Sequence, residues 1–135
     1  MNDPRSALVA RLADFERVVE VGVGRRPDVA RRLAQRGVDV TVTDVVRRDV
    51  PRGLTFVLDD VTDPAPGVYD DAEAVYALNC PPELHRPLRA LAREHGLACS
   101  FTTLGGDPPA VAVDREQLPG GETLYRVRED GPKDK

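Results

Sequence analysis

Residues 18–29 read VVEVGVGRRPDV, and this stretch decides the fold. Its valines predict a short buried strand, and Gly22 and Gly24 follow as a G-x-G pair. Pro27 suits the first turn of a helix, because its ring fixes a helical φ and its missing N–H is not needed there. The stretch therefore predicts a strand, a glycine loop and a helix, a unit with which parallel α/β sheets commonly begin.

The rest of the chain continues this alternation of strands and helices. Apolar residues at helical spacing predict helices at residues 5–16, 27–37 and 81–96. Runs of β-branched residues predict strands at 17–23, 38–45, 54–61, 72–79 and 97–104, with a pair of short strands or a hairpin at 110–114 and 123–129. The pattern predicts an α/β fold: a three-layer Rossmann-like sheet, mostly parallel, with helices on both faces and a short C-terminal hairpin or edge strand.

One connection does not fit a regular doubly wound sheet. Residues 46–53, VRRDVPRG, join the second and third predicted strands and are too few for a full crossover helix. A reduced turn or a shifted strand is expected there. A length of 135 residues suits one domain, which we place at 1–128, followed by a flexible C-terminal tail at 129–135.

Composition and charge narrow the classes of partner. A net charge of -4 argues against broad binding to nucleic-acid phosphates, and 4% aromatic residues leave few surfaces for stacking bases. No apolar run reaches the ~18 residues of a membrane span, and the first residues lack a signal pattern, which predicts a cytoplasmic protein. The two cysteines and two histidines lack metal-ligand spacing, so no metal site is predicted. The oligomeric state is not fixed by the sequence.

The glycine loop is the first candidate binding element. Gly22 and Gly24 would let the backbone approach a ligand, and the start of the following helix offers N–H groups to an anion. Asp44 ends the second strand twenty residues after Gly24, where such folds place an acid that hydrogen-bonds ribose hydroxyls. The alternatives are that the glycines only turn the chain, and that Asp44 caps the strand end or pairs with Arg47 or Arg48.

Glu20 changes the interpretation of this loop. It lies within a run of valines, and burying a carboxylate costs free energy unless it forms hydrogen bonds or an ion pair. The E-x-G-x-G pattern formed by Glu20, Gly22 and Gly24 resembles the first motif of S-adenosylmethionine-dependent methyltransferases. The resemblance implies that Glu20 helps to place the methionine end of the cofactor. It also implies that Asp60, at the end of the third strand, faces the adenine.

The sequence after the fourth strand resembles a second methyltransferase motif. Asn79, Pro81 and Pro82 are similar to the N-P-P-x motif of amino-methylating enzymes, although Cys80 is inserted and Glu83 replaces the aromatic residue. The resemblance implies that Asn79 is the catalytic, substrate-facing group. The alternative is that the prolines begin a helix and Asn79 is a turn residue at a strand end.

Two longer segments carry a resemblance to one family. Residues 18–45, VVEVGVGRRPDVARRLAQRGVDVTVTDV, and residues 80–92, CPPELHRPLRALA, resemble a small archaeal family of uncharacterised proteins, family 0146. The resemblance covers roughly residues 5–104. It implies a Rossmann-like, methyltransferase-like fold and carries no established activity.

Arg25 and Arg26 stand where a helix N-terminus favours acids, and each cation there costs roughly 0.3–1 kcal/mol. Departures from a local rule can mark functional sites, and two guanidinium groups could bind the carboxylate or phosphate of a cofactor. The alternative is a solvated pair offset by Asp28 and Asp44.

Three functions remain open from the sequence. The first is binding of S-adenosylmethionine, or a related adenosine-containing small molecule, at the carboxyl ends of the strands, with methyl transfer as the reaction if the protein is an enzyme. The second is a non-catalytic binding or regulatory module with a degenerate cofactor site. The third is an NAD-type dinucleotide binder, which Glu20 and Pro27 disfavour and the two arginines favour.

Overall fold

A computed structural model of the chain describes residues 5–128, and these contain one seven-stranded sheet. The predicted flexible tail at 129–135 and the first four residues of the predicted domain lie outside the described residues. The strands are β1 (Arg17–Val21), β2 (Asp39–Asp44), β3 (Leu54–Leu58), β4 (Ala74–Ala77), β5 (Ala98–Phe101), β6 (Val113–Gln117) and β7 (Thr123–Val127).

The strand order is β3-β2-β1-β4-β5-β7-β6. The first five strands are parallel, whereas β7 runs antiparallel to both β5 and β6. The predicted mostly parallel Rossmann-like sheet with a C-terminal hairpin is thereby confirmed. The order reverses between β1 and β4, and a crevice opens at such a point outside the carboxyl ends of the strands.

Helices cover both faces of the sheet, as predicted. Helices α1 (Ser6–Leu12) and α2 (Asp28–Gln35) pack on one face, with Leu8 and Leu33 among their fully buried side chains. Helix α3 (His85–His95) packs on the other face through Leu88 and Leu91. No helix of the described residues is both long enough and apolar enough to cross a lipid bilayer.

Several predicted boundaries differ from those observed. The first helix ends at Leu12 and not at residue 16, because the chain must turn to enter β1 at Arg17. The helix predicted at 81–96 consists of a 3-10 turn (Pro82–Leu84) followed by α3, which ends at Gly96 with a φ of 69°.

The strand predicted at 110–114 was wrong in position. β6 begins at Val113, opposite Val127 of β7, and continues to Gln117. The Ala110 N–H does not join the sheet, since it donates to Nδ1 of His85 at 3.0 Å.

The short connection between β2 and β3 has the predicted consequence. Residues 45–53 contain no helix, yet β2 and β3 pair in parallel with Val40 opposite Leu54. β3 is an edge strand, and its end carries Leu58 with 54% of its surface exposed.

Leu33 provides a test of the packing between α2 and the sheet. We expect Leu33→Ala to lower the free energy of unfolding by about 2–5 kcal/mol, because a fully buried leucine leaves a cavity when truncated. Urea denaturation followed by circular dichroism measures the change. Leu33→Met is the matched control, with an expected loss below about 1.5 kcal/mol because it conserves volume. Equal losses in the two variants would contradict the packing described.

Candidate functional site

A cavity of about 480 Å³ lies at the carboxyl ends of β1 and β4, and we call it the carboxyl-edge cavity. Six of the eight predicted site residues line it, whereas Asp44 and Asp60 do not. Among residues 5–128, its lining consists of Arg5, Glu20, Gly22, Val23, Gly24, Arg25, Arg26, Leu78, Asn79 and Leu104.

The glycine loop forms one wall of this cavity. Gly22 and Gly24 have φ values of 73° and 62°, a left-handed conformation that disfavours other residues. A Cβ atom at either position would meet nothing within 4 Å, so glycine is required by the backbone conformation and not by crowding. The Gly22 and Val23 N–H groups both donate to the Thr43 carbonyl at 2.9 Å, which turns the chain away from β1.

The carboxylate of Asp44 fixes the glycine loop through a hydrogen bond to its backbone. Its Oδ2 accepts a 2.8 Å hydrogen bond from the Gly24 N–H, and its Oδ1 accepts one of 3.1 Å from the Val46 N–H. The Arg48 Nε lies 3.5 Å from the same Oδ2. Both alternatives from the sequence, a strand-end cap and a partner for Arg48, are therefore observed, and contact with a ribose stays a prediction.

Substitution of Asp44 tests this supporting role. We expect Asp44→Ala to lower the free energy of unfolding by about 2–3 kcal/mol, because it removes charge-assisted acceptors from two backbone N–H groups. Urea denaturation measures the loss. The matched control is Asp49→Ala, an exposed acid in the loop after β2, for which we expect a change within about 0.5 kcal/mol. A loss no greater than that of the control would contradict the role of Asp44.

Glu20 lies at the floor of the cavity, with only 1% of its surface exposed. It stands opposite Tyr76 in the β1–β4 pairing, and the Tyr76 hydroxyl donates to its Oε1 at 2.8 Å. Burial raises the pKa of Glu20 to about 7, although the hydrogen bond from Tyr76 and the charge of Arg5 act in the opposite direction. The carboxyl group therefore exchanges its proton near neutral pH.

The raised pKa of Glu20 predicts a specific dependence of stability on pH. A carboxyl whose pKa rises from 4.5 to about 7 on folding binds more protons in the native state between those values. The free energy of unfolding should fall by up to about 3 kcal/mol as pH rises through that window, and then level off.

The Glu20→Gln variant should lose this slope, because the amide does not titrate but can still accept the Tyr76 hydroxyl. Urea denaturation at pH values from 5 to 8 measures both proteins, and their difference isolates Glu20 from other titrating groups. Parallel curves for the two proteins would contradict the raised pKa.

Arg25 and Arg26 are exposed at the mouth of the cavity. Helix α2 begins at Asp28, so both arginines precede the helix and do not stand in its first turn. Within residues 5–128 neither forms an ion pair or side-chain hydrogen bond, since Asp28 pairs with Arg31 and Asp44 with Arg48. Both arginines are exposed to solvent, as one alternative from the sequence expected, and neither pairs directly with Asp28 or Asp44.

Asn79 reaches the cavity from the end of β4. Its φ of 51° is, within residues 5–128, the one positive value outside glycine, and asparagine tolerates this conformation better than most residues. Its N–H donates to Oγ1 of the buried Thr102 at 2.9 Å, while the Thr102 carbonyl accepts the Cys80 N–H at 2.8 Å. Asn79 is thus both a turn residue and an exposed residue of the cavity, and its catalytic role stays a prediction.

The two acids after β3 have different surroundings. Asp59 is buried and accepts hydrogen bonds from the Tyr69 hydroxyl and the Ala65 N–H, each at 2.8 Å. Asp60 is exposed, and the Thr62 hydroxyl and N–H that bond its Oδ1 lower the pKa of its carboxyl. Asp60 closes a local turn here, and a contact with adenine stays a prediction.

Five residues of the site were missed by sequence reasoning. Arg5, Val23, Leu78 and Leu104 line the cavity, and the Tyr76 hydroxyl donates to Glu20. Tyr76 could have been noticed in the sequence, since it carries a hydroxyl group within a strand of small apolar residues. Arg5 could not, because it precedes α1 and reaches the site only through the packing of that helix.

Cys80 and His85 are buried, and neither is among the residues that line the carboxyl-edge cavity. Cys80 is buried, and burial raises the pKa of its thiol to about 12. His85 is fully buried, with Nδ1 accepting the Ala110 N–H, so Nε2 is the nitrogen that donates to the Cys80 carbonyl at 3.0 Å. Among residues 5–128, no group of three or more His, Cys, Asp or Glu side chains is placed to hold a metal ion.

The fold is similar to that of solved methyltransferase structures. An RNA methyltransferase from Salinibacter ruber, solved with S-adenosyl-L-homocysteine, matches with a TM-score of 0.62 and 19% identity, over 99% of this chain and 98% of that chain. An S-adenosyl-L-methionine methyl transferase from Silicibacter pomeroyi matches with a TM-score of 0.59 and 18% identity, over 90% and 88% of the two chains. At these identities the likeness shows the fold alone.

Sequence relatives identify the family. A protein of Halobacterium salinarum is 50% identical over 122 residues, covering 90% of this chain and 95% of that protein. A protein of Archaeoglobus fulgidus is 45% identical over 91 residues, covering 67% of this chain and 70% of that protein. The model of the uncharacterised protein family UPF0146 matches residues 1–129. The chain therefore belongs to UPF0146, as the two sequence segments predicted.

Proposed function

We propose that this protein binds S-adenosylmethionine, or a closely related adenosine nucleoside, in the carboxyl-edge cavity. The observation that carries the proposal is the convergence of Glu20, Gly22, Gly24 and Asn79 on one cavity at the reversal of strand order. A volume of about 480 Å³ falls within the range of about 300–1,000 Å³ that small-molecule sites occupy.

The residues present fit the methionine end of this cofactor. The open space beside Gly22 and Gly24 lets a ligand approach the backbone closely. Glu20 offers a carboxylate beneath that space for the cofactor ammonium, and cationic contact would favour its charged form. Arg25 or Arg26 offers a guanidinium for the cofactor carboxylate at the cavity mouth.

The ribose and adenine would extend beyond the lining of the carboxyl-edge cavity, towards the ends of β2 and β3. Each oxygen of Asp44 accepts one backbone N–H and retains capacity for a further donor such as a ribose hydroxyl. Beyond it, Val45 and Val46 are 63% and 52% exposed and provide apolar surface for a base. The proposed contact between Asp60 and the adenine rests only on the position of Asp60 after β3.

Methyl transfer is the reaction that such a cofactor would serve. S-adenosylmethionine supplies a methyl group on an already activated sulfonium, so positioning of an acceptor can be enough for transfer. Asn79 is the exposed polar side chain that we assign to the acceptor side of the cavity.

An NAD-type dinucleotide is the second candidate, because Arg25 and Arg26 lack partners within residues 5–128 and would suit a pyrophosphate. The buried Glu20 disfavours it, since a carboxylate under the loop would repel phosphates. The third candidate is a non-catalytic binding or regulatory module that retains the fold.

A panel of ligands separates these functions. We expect S-adenosylhomocysteine to stabilise the protein, by about 2.7 kcal/mol at a concentration one hundred times its Kd, and NAD to leave it unchanged. Thermal unfolding detects the shift, and isothermal titration calorimetry gives the Kd. Stabilisation by NAD alone would assign the dinucleotide function, and no effect of either ligand would overturn both.

Glu20→Gln should weaken binding of S-adenosylhomocysteine by about tenfold or more, because the acceptor for the cofactor ammonium loses its charge. The matched control is Glu94→Gln, an exposed glutamate on α3 with the same change of charge, which should bind as the unaltered protein does. Transfer of labelled methyl groups to a cell extract then distinguishes an enzyme from a binding module.

A further inference from the structure

The carboxyl-edge cavity holds more positive charge than the proposed cofactor can neutralise. Among residues 5–128, its lining contains three arginines, Arg5, Arg25 and Arg26, and one carboxyl group, that of Glu20. Arg5 is shared with Glu122, whose Oε1 lies 3.5 Å from its Nη1. Arg25 and Arg26 have no acidic partner within residues 5–128, so the surplus charge is concentrated at the mouth.

S-adenosylmethionine would leave this surplus in place. Its carboxylate can neutralise one guanidinium group, but its ammonium and sulfonium groups add positive charge of their own. The guanidinium that the cofactor carboxylate does not reach has no acidic partner within residues 5–128, so it attracts a further anion. A doubly charged phosphate matches the remaining cations better than a singly charged carboxylate does.

We propose that the carboxyl-edge cavity accepts, beside the cofactor, a small molecule that carries a phosphate group, held by whichever of Arg25 and Arg26 the cofactor carboxylate leaves free. This inference rests on the proposed function, because it names the class of acceptor that the same site would take. Guanidinium groups bind phosphate through paired, charge-assisted hydrogen bonds, and they remain charged at any physiological pH.

The apolar part of the cavity lining supports an organic phosphate over the free ion. Leu78 and Leu104 line the same cavity as the arginines, and Leu104 has 68% of its surface exposed, so apolar surface is available to a ligand there. Asn79 lies beside Leu78 and offers an amide to the acceptor's reacting group. A ligand that carries both a phosphate group and an apolar or aromatic body would suit this lining.

Methyl transfer to such an acceptor would involve one bond formed and one bond broken. The acceptor's nucleophilic atom uses a lone pair to form the bond to the methyl carbon, and the carbon–sulfur bond breaks with its electron pair left on sulfur. The proton of the acceptor leaves to water, and no oxidant or reductant is needed.

Calorimetric titration of phenyl phosphate, inorganic phosphate and acetate into protein saturated with S-adenosylhomocysteine tests the inference. We expect phenyl phosphate to bind more tightly than inorganic phosphate, and acetate to bind most weakly. The double variant Arg25→Ala/Arg26→Ala should weaken phenyl phosphate by at least about tenfold. A rise in salt should weaken binding to the unaltered protein, because the contact is electrostatic and partly exposed.

The double variant Arg89→Ala/Arg93→Ala is the matched control. Both arginines lie on α3 outside the carboxyl-edge cavity, have no ion pair within residues 5–128, and their loss changes the net charge by the same amount. Unchanged phenyl phosphate binding in this control supports the inference. An equal loss in both double variants, or none in either, overturns it.

Failure of the cofactor proposal is distinguishable from failure of this one. No heat with S-adenosylhomocysteine itself overturns the proposed function, and the same anions titrated into the cofactor-free protein then report on the arginines directly. Binding of S-adenosylhomocysteine without any binding of phenyl phosphate overturns this inference alone. Weaker S-adenosylhomocysteine binding in Arg25→Ala/Arg26→Ala, with no phosphate effect, assigns the arginines to the cofactor carboxylate and also overturns it.

Discussion

The hydrogen bond between the Gly24 N–H and the Asp44 carboxylate is the contact on which the candidate site depends. It joins the loop after β1 to the end of β2, two strands that already pair along their whole length. The neighbouring Thr43 carbonyl accepts two further N–H groups of the same loop. With its backbone held at three points, the loop keeps a left-handed path that exposes its upper surface at the carboxyl edge of the sheet.

Glu20 belongs to both the core and the candidate site. Its side chain is buried, yet it also lines the carboxyl-edge cavity. The Tyr76 hydroxyl donates a hydrogen bond to its carboxyl group, which otherwise lies among apolar neighbours. A buried carboxyl of raised pKa costs stability whenever it is charged, and proteins tolerate such costs mainly where a ligand is bound. The buried pair of Glu20 and Tyr76 therefore adds support to the proposal that this end of the sheet binds a ligand.

Much of the fold could be predicted from local patterns, because valine-rich strands and prolines at helix starts act over a few residues. The glycines, Glu20 and Asn79 could be assigned to one edge of the sheet, since carboxyl ends of parallel strands meet there. The position of β6 could not, because its register is set by β7 and by His85, which withdraws Ala110 from the sheet. The position of Arg5 at the cavity depends on three-dimensional packing that no local pattern encodes, and so does the lack of acidic partners for Arg25 and Arg26 within residues 5–128.

The connection at residues 45–53 gives the sheet an uneven thickness. β1 and β4 lie between layers on both faces, whereas β3 stands at the edge with Thr55 and Leu58 exposed. Strands with less buried apolar surface open at lower free energy than the rest of a domain. The sheet therefore has a gradient of local stability, from rigid strands beneath the glycine loop to a more easily opened margin beyond Asp44. A ligand that contacts both the glycine loop and that margin would stabilise the margin more than the loop, and would so reduce the difference in local stability between them.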